Sequence, residues 1–370
     1  MSAVPRSWHA PAEALLLPIG AIGAALLLFG VFVWFGGASP AEAWVILFRG
    51  AFGDAFAWQN TLQRAAPLML TALAVALPAR AGLTVIGGEG ALVLGALGCA
   101  GLPTLIDLPS DVSGSALVLA AGAVFGAAWV ALAGWLRQWR GVNETISSLL
   151  LGYIAIALFK HVVEGPLRDP ASLNKPSTQP LAEGLRIGAI APDSVLGDVH
   201  WGLLIGLVLC LLAGLWLRHT AAGFALRVVG GNARSARLVG LPADRLIVGA
   251  CAAGGACAGL AGAVEVAAVH TAANASVIAG LGYTGILVSF VARHQPWAIP
   301  PVALLFGGFA AAGSLLQRRL GLPDASVLVL QGFAFVFILA AEALRGRLFA
   351  LRMPALGRLR LAANMGRVVQ

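Results

Sequence analysis

Charged residues are scarce in this chain. Asp, Glu, Lys and Arg make up 11% of its 370 residues, while 59% are hydrophobic and the mean hydropathy is +0.88. A soluble globular protein carries about twice that share of charged residues. The composition therefore excludes a soluble globule and predicts a protein that spans a membrane several times.

The sequence motifs of common enzyme classes are missing as well. The chain has no G-x-x-x-x-G-K-[ST] loop, so it should not hydrolyse ATP itself, and no G-x-S-x-G motif. Its six histidines lack H-x-x-x-H and H-E-x-x-H spacing, and its four cysteines include no C-x-x-C pair. We therefore expect no metal site, no resident cofactor and no enzyme activity, and we interpret the cysteines as small buried hydrophobic residues.

Basic residues are spread along the chain rather than gathered in one patch, so the net charge of +8 does not predict nucleic-acid binding. With the N-terminus inside, 16 basic and four acidic residues fall on the cytoplasmic side, against eight and ten on or near the other side. This positive-inside bias predicts an even number of spans with both termini cytoplasmic. Arg318 and Arg319 are the weakest point of this topology, because it places them outside.

Ten apolar runs predict membrane-spanning helices. They cover residues 15–35, 64–80, 84–104, 116–136, 146–163, 201–218, 246–268, 278–293, 298–316 and 327–343. Ten spans of about 20 residues leave no room for a sizeable soluble domain. We therefore predict an all-α polytopic bundle in which residues 1–370 form a single transmembrane domain. The small-residue run 254–263 predicts close packing between helices.

Two connecting segments are longer than usual. The external loop, about 164–200, is rich in Pro, Asp and Ser and is a candidate docking surface for a protein outside the membrane. The internal loop, about 219–245, carries arginines among small residues. Within it, residues 232–239 could form only about two helical turns, too short to be stable alone, so we expect them to pack against a partner.

Only two acidic residues fall inside predicted spans, Glu89 and Glu265. An ionisable group at bilayer depth marks a transport path or a buried pair. Glu89 lies among Gly87, Gly88 and Gly90, which would allow the helix to break or a neighbour to approach closely. Two interpretations of Glu89 stay open: a residue on a transport path at a broken or distorted helix, or a structural carboxylate that satisfies backbone N–H groups or an arginine. For Glu265, near the outer end of its span, the structural interpretation is favoured.

Two adjacent segments, residues 64–76 and 80–90, resemble the permeases of ABC importers for nucleosides and simple sugars, a branched-chain amino acid permease-like family. They read RAAPLMLTALAVA and RAGLTVIGGEG, where the family pattern runs A-x-P-L-x-L-T-x-L-A-V-A and R-A-G-L-x-N-I-G-x-E-G-Q. The chain departs from the family at three usually polar positions, Val85, Ala91 and Gly152. Further matches follow in family order at residues 143–147, 165–170, 227–232, 236–240, 258–263 and 282–286.

The resemblance implies the permease subunit of an ATP-driven importer in the cytoplasmic (inner) membrane, with a nucleoside or a simple sugar as the expected solute. Besides the lipid bilayer, it implies three protein partners: a separate ATP-binding subunit that uses the ATP, a second related permease in a homo- or heterodimer, and an external substrate-binding lipoprotein.

The resemblance also implies two sets of site residues. The set on the substrate path consists of Glu89, Gly87, Gly88, Gly90, Asn143, Tyr283 and Thr284. The set that contacts the ATPase lies in and around a coupling helix at residues 232–239, and consists of Gly231, Asn232, Ala236, Arg237 and Gly240.

Two other classes of protein fit a polytopic membrane chain. An ion-coupled secondary transporter would use Glu89 as its proton or sodium site. An intramembrane enzyme is disfavoured, because the sequence offers neither a nucleophile with its base nor a metal cluster. Transport driven by ATP rather than by an ion gradient distinguishes the importer from the secondary transporter.

Overall fold

The computed structural model describes residues 9–172, 174–194, 197–323 and 325–344, which are almost entirely helical. The α-helices in these ranges are α1 (His9–Phe35), α2 (Pro40–Phe52), α3 (Ala55–Arg80), α4 (Gly88–Leu105), α5 (Val112–Arg140), α6 (Glu144–Glu164), α7 (Gly202–His219), α8 (Ala221–Gly231), α9 (Ala233–Leu238), α10 (Ala243–Val264), α11 (Leu281–Val291), α12 (Ile299–Leu320) and α13 (Ser326–Leu344). Two short antiparallel strands, β1 (Ala189–Ala191) and β2 (Gly197–His200), pair in the loop after α6. The predicted all-α polytopic fold is confirmed.

Nine helices within the described ranges are long and apolar enough to cross a membrane. They are Leu16–Phe35, Ala55–Arg80, Gly88–Leu105, Val112–Arg140, Glu144–Glu164, Gly202–His219, Ala243–His270, Pro296–Leu320 and Ser326–Ala343. The sequence did not predict the 13-residue helix α2, which is shorter than a span. The side of the membrane on which each terminus lies stays a prediction.

The tenth predicted span, 278–293, is a half-length helix in the structure. α11 has 11 residues, so it is about 16 Å long, roughly half of the ~30 Å hydrocarbon core. Before it, α10 continues through one π-helical turn, Glu265–His270, and residues 271–280 are largely non-helical. Glu265 is buried in that turn, with its carboxylate 3.5 Å from Nε2 of His270.

Residues 41–327 form one compact unit, and the described residues on either side of it belong to a second. In the second unit, α1 is a 27-residue apolar helix that contains Pro18, and α13 belongs to this unit from Leu328 onward. That residues 1–370 make a single transmembrane domain stays a prediction.

Helix α10 packs against α3, α4 and α5 in the larger unit. Its Gly259 touches the backbone of Gly95 on α4 and of Gly122 and Gly126 on α5, so closely that a Cβ would clash. Lipid supplies no hydrophobic drive for two helices to associate, so small residues that let backbones approach are what stabilise such crossings. The close packing predicted from run 254–263 is confirmed. The four cysteines are buried and free, as expected.

The long loop after α6 is fixed to the non-helical segment 271–280 and to the end of α10. The backbone N–H of Thr178 donates to the carbonyl of Ala273 (3.0 Å), and that of Leu181 donates to the carbonyl of Thr271 (2.8 Å). Farther along, the N–H of Ile187 donates to the carbonyl of Ala267 (3.0 Å). The loop thus supplies hydrogen-bond partners to backbone that leaves the helical pattern.

Candidate transport and coupling sites

Two non-helical segments of the larger unit enter its interior. One, residues 81–87, joins α3 to α4, and its Leu83 and Val85 are buried. The other, residues 271–280, leads into α11, and its Ala273 and Val277 are buried. Non-helical backbone at membrane depth is tolerated only where protein groups or water satisfy its hydrogen bonds.

The depth of these segments follows from Arg80. Its Nε and Nη2 both donate to the backbone carbonyl of His294, at 3.0 and 2.7 Å, so the last residue of α3 lies level with the end of α11. The first residue of α11 is about 16 Å farther along the helix axis. The junction therefore lies about 16 Å along α11 from the level of Arg80, which is roughly half of the ~30 Å hydrocarbon core.

Glu89 occupies that junction. Its side chain is 1% exposed, and its carboxylate accepts hydrogen bonds from the backbone N–H groups of Gly280 (2.8 Å) and Gly282 (2.6 Å). Glu89 itself lies in the first turn of α4. One carboxylate therefore sits at the N-termini of both α4 and α11, where the partial positive charge of each helix favours it. These contacts are those of the structural interpretation, with backbone N–H groups rather than an arginine as the partner.

The glycines around Glu89 allow α4 and α6 to approach each other closely. They do not mark a break within helix α4. α4 is a regular helix from Gly88 onward, and the discontinuity lies just before it, in residues 81–87. A Cβ at Gly87 would lie 2.5 Å from the carbonyl oxygen of Ser148, and one at Gly90 would lie 2.6 Å from Cα of Gly152. Small residues here let α4 pack directly on α6.

The other expected path residues fall in two places. Tyr283 and Thr284 follow Gly282 in the first turn of α11, and Tyr283 is half-exposed. Asn143 lies elsewhere, at the start of α6, where its Oδ1 accepts from the N–H groups of residues 145 and 146. The structure thus brings the α4 glycines, Glu89, Tyr283 and Thr284 together and leaves Asn143 at a helix end.

The three departures from the family pattern are packing positions in this chain. Val85 and Ala91 are buried, and Gly152 allows the close approach of Gly90. Apolar or absent side chains at these positions fit the dense contact between α4 and α6.

Helix α9 forms where the sequence predicts a short coupling helix. Asn232 caps it, with Oδ1 accepting from the N–H of Ser235 (3.0 Å), and Ala236 is fully buried. Nη2 of Arg237 donates to Oδ1 of Asp244 (2.6 Å) on α10 and to Oε1 of Gln138 (3.1 Å) on α5. Arg237 therefore fixes α9 to two spanning helices.

The chain on either side of α9 is shaped by glycine. Gly240 has a φ of +82°, which ends the helix in the left-handed region that glycine adopts most easily. Gly231 precedes Asn232, and a Cβ there would meet open space. Between the two, Leu238 and Val239 are 82% and 72% exposed. The segment thus presents an apolar tip on a fixed base.

The sequence profile of a family of permease components, described as the branched-chain amino acid transport system, matches residues 58–339. The chain belongs to this permease family.

Three relatives of the permease are named as ABC transporter permease proteins. The permease is 31% identical over 332 residues to the glucose ABC transporter permease protein TsgB13 of Haloferax volcanii, covering 88% of this chain and 87% of the relative. It is 26% identical over 342 residues to the guanosine ABC transporter permease protein NupP of Bacillus subtilis, covering 90% and 94%. It is also 26% identical over 339 residues to the nucleoside ABC transporter permease protein NupB of Lactococcus lactis, covering 88% and 91%.

The comparisons confirm the predicted class of function. The protein is a multi-pass membrane permease subunit of an ABC transporter, and ATP hydrolysis belongs to a separate subunit. An ATP-binding subunit and a substrate-binding partner accompany permeases of this kind in general.

Sequence reasoning missed one ionic anchor of the permease. Glu144 is buried at the start of α6, where its carboxylate pairs with Arg137 of α5 and accepts from the N–H of Thr84 (3.4 Å). The hydroxyl of Thr145 donates to the carbonyl of Thr84 (2.9 Å), and the N–H of Ile86 donates to Ser148 Oγ (3.1 Å). These polar groups of α6 hold segment 81–87 inside the bundle. The motif at 143–147 was a signal for them, but their partners were not evident from spacing.

Sequence reasoning also missed the exposed tip of α9. Leu238 and Val239 are ordinary apolar residues in a chain that is 59% hydrophobic, so only their exposure distinguishes them.

No three His, Cys, Asp or Glu side chains lie close enough to hold a metal ion in the part of the permease that the structure describes.

Proposed function

We propose that this permease translocates a nucleoside or a simple sugar, and that ATP-driven movement of a separate subunit reaches it through α9. The observation that carries the proposal is the geometry of α9. A six-residue helix is fixed by Arg237 to α5 and α10 and presents the exposed side chains of Leu238 and Val239.

A helix this short has no stability of its own, because forming its first turn fixes several residues for a single hydrogen bond. The Asn232 cap and the Arg237 contacts supply the missing stabilisation from within the permease. A force applied at the tip therefore passes into α5 and α10 instead of unfolding the segment. α10 then reaches α4 and the Glu89 junction through the Gly259 crossing.

The solute class is supported by the relatives, whose names state glucose, guanosine and nucleosides. The position of the path is supported by the junction at which α4 and α11 begin, because interrupted helices build solute sites in other transporters. We place Glu89, Gly87, Gly88 and Gly90 in the wall of the path. In this proposal Glu89 acts through the backbone of α11, on which it positions Tyr283 and Thr284.

Tyr283 is the side chain that we propose contacts the solute. It is half-exposed and lies in the first turn of α11, directly after Gly282, whose N–H donates to Glu89. A phenol offers both a ring face and a hydroxyl, which suit the apolar face and the hydroxyl groups of a sugar or nucleoside. Asn143 would act at the end of the path, as the cap of α6.

We further propose the partners. The external loop 164–200 is a docking surface for a substrate-binding lipoprotein, and a second related permease completes the transporter in the cytoplasmic membrane. The loop suits docking because its hydrogen bonds to residues 267–273 connect it to the segment that leads into α11.

The proposal is tested with the permease purified together with its ATP-binding subunit and reconstituted in liposomes. Leu238→Ser removes the apolar tip without touching the Arg237 contacts, and we expect it to lower both co-purification of the ATP-binding subunit and ATP-driven uptake of labelled guanosine or glucose. Leu117→Ser, an exposed position at the opposite end of α5, is the matched control and should lower neither. Full uptake and full co-purification with Leu238→Ser would refute the coupling role of α9.

A further inference from the structure

Three arginines line one cavity, of about 260 Å³, where α3, α7, α8 and the segment just before α12 meet. They are Arg80, Arg218 and Arg227, and they share the cavity wall with Gln295 and Trp297. The lining includes no carboxylate. A cavity of this size, slightly below the range for drug-sized ligands, suits a small polar group.

Two of the three guanidinium groups are held in place by neutral acceptors. Arg80 donates through Nε and Nη2 to the carbonyl of His294, and Arg227 donates through Nη1 to the carbonyl of Leu217 (2.6 Å). A guanidinium has five N–H donors, so each keeps donors to spare. The ion pairs found among the described residues include none of the three arginines. Among the described residues, no carboxylate compensates the positive charge of these arginines.

The arginines also act on one another. Arg80 and Arg227 line the same cavity, so their like charges repel each other. An anion between them would offset that repulsion and use the spare donors. Arginine is well suited to phosphate, because its planar fork can donate two parallel hydrogen bonds to two oxygens.

The cavity lies at the membrane interface. Arg80 is the last residue of one span, Arg218 lies in the last turn of another, and Trp297 begins a third. Tryptophan and arginine are typical of this level of the bilayer, and basic cavities between spanning helices bind anionic headgroups.

An apolar stripe leads along α7 to the cavity. Leu207, Leu211, Gly214 and Arg218 follow the spacing i, i+4, i+7 and i+11, so they share one helix face. Leu207 and Leu211 are exposed, whereas Gly214 and Arg218 line the cavity. A molecule with a charged headgroup and a hydrocarbon tail could contact both the cavity and the apolar face of α7. Free phosphate would contact the cavity alone.

We propose that this cavity binds the phosphate of an anionic phospholipid, whose acyl chain lies along Leu207 and Leu211. The headgroup connects the end of α3 to the α7–α8 junction. Because α8 leads directly into α9, the lipid stabilises the base of the coupling loop.

The test is native mass spectrometry of the full-length permease, purified with its ATP-binding subunit in detergent and titrated with dioleoyl phosphatidylglycerol or dioleoyl phosphatidylcholine. The variant is Arg218→Gln, because Arg218 is exposed and its removal leaves the hydrogen bonds of Arg80 and Arg227 intact. The matched control is Arg140→Gln, which removes an exposed arginine at the end of α5, outside the cavity.

We expect phosphatidylglycerol to bind more tightly than phosphatidylcholine, and Arg218→Gln to weaken its binding about fivefold. Adding Arg227→Lys, which keeps the charge but not the planar fork, should weaken it further. Arg140→Gln should bind like the wild type.

Three results would overturn the proposal. If Arg218→Gln and Arg140→Gln weakened the binding of phosphatidylglycerol equally, the lipid would be attracted by the overall positive charge of the permease and not by this cavity. Displacement of the lipid by millimolar inorganic phosphate, with no preference between the two lipids, would assign the cavity to a free anion. Binding of phosphatidylglycerol only after removal of the ATP-binding subunit would assign it to an acidic side chain of that subunit.

Discussion

The carboxylate of Glu89 accepts a 2.6 Å hydrogen bond from the backbone N–H of Gly282, which lies 193 residues farther along the chain. With the bond from Gly280, it satisfies two N–H groups at the start of a helix that begins inside the membrane. Water is not available there to do so. The side chain of Glu89 on α4 thus helps to stabilise the start of the half-length helix α11.

Glu89→Gln should destabilise the permease. An amide has one carbonyl oxygen, so one of the two N–H groups would face the NH₂ group and lose its acceptor. Leaving a buried donor unsatisfied costs roughly 1–3 kcal/mol, which thermal unfolding of the purified permease would register as a lower midpoint. Glu164→Gln, exposed at the end of α6, is the control and should change stability by less than about 0.5 kcal/mol. Identical midpoints for the two variants would show that the Glu89 contacts contribute nothing.

Gly259→Ala should also destabilise the permease, because its Cβ would meet the backbone of Gly122 and Gly126 on α5. Forcing the helices apart costs about 1–3 kcal/mol. Gly249→Ala, on the same helix, is the matched control, since a Cβ there meets open space. That variant should be neutral or more stable by up to about 1 kcal/mol, because alanine favours a helix over glycine. If unfolding measurements ranked the two variants in the reverse order, the crossing described here would be incorrect.

Arg137 and Glu144 should show energetic coupling. Arg137→Met leaves the buried Glu144 carboxylate without its cation, which costs roughly 1–3 kcal/mol of stability. The cost is modest because the Arg137 side chain is 39% exposed, so solvent screens the pair. In the double variant with Glu144→Gln, the amide still accepts from Thr84 and no charge is left unpaired. The double variant should therefore be more stable than the sum of the single changes implies. Simple additivity in urea or thermal unfolding would exclude a stabilising pair.

The stability of the permease should fall in mild acid, in part through His200. Burial lowers the pKa of His200 from 6.5 to about 4, and its Nδ1 accepts from the N–H of Gly202 (3.2 Å). Between these pH values the unfolded chain binds a proton that the folded chain does not, so stability is lost as the pH falls from about 6.5 toward 4.

His200→Asn keeps an acceptor but cannot titrate, so the midpoint of unfolding should drop less between pH 7 and pH 5 than in the wild type. Part of the drop should persist, because burial and Arg80 lower the pKa of His294 to about 4 as well. His219→Asn, at an exposed position, should keep the full wild-type drop. A wild-type drop in His200→Asn would mean that His200 is not buried in its neutral form.

Much of the fold follows from the sequence, because the length of an apolar run is a direct measure of whether a helix can span a bilayer. The position of α9 also follows, since residues 232–239 have room for only about two turns and Asn232 is a good cap. Run 254–263 predicted the crossing at Gly259 for the same local reason. These features depend on neighbouring residues alone.

The half-length helix α11 does not follow from the sequence. The run 278–293 is apolar enough to look like a full span, and what interrupts it is distant: Thr178 and Leu181 bind the backbone at 271–273, and Glu89 binds Gly280. The role of the pair Arg137 and Glu144 could not be predicted for a similar reason, because Glu144 acts on Thr84, which is distant in the sequence. Hydrogen bonds between such distant positions leave no pattern in a single sequence.

The source of energy tests the central claim most directly, because an ion-coupled transporter with Glu89 as its coupling site is the alternative. The measurement is uptake of labelled guanosine or glucose by liposomes that contain the permease, its ATP-binding subunit and its substrate-binding partner, with ionophores present to collapse proton and sodium gradients. The account predicts that uptake needs ATP and persists with ionophores. Uptake that continues without ATP and stops when the gradients collapse would contradict it.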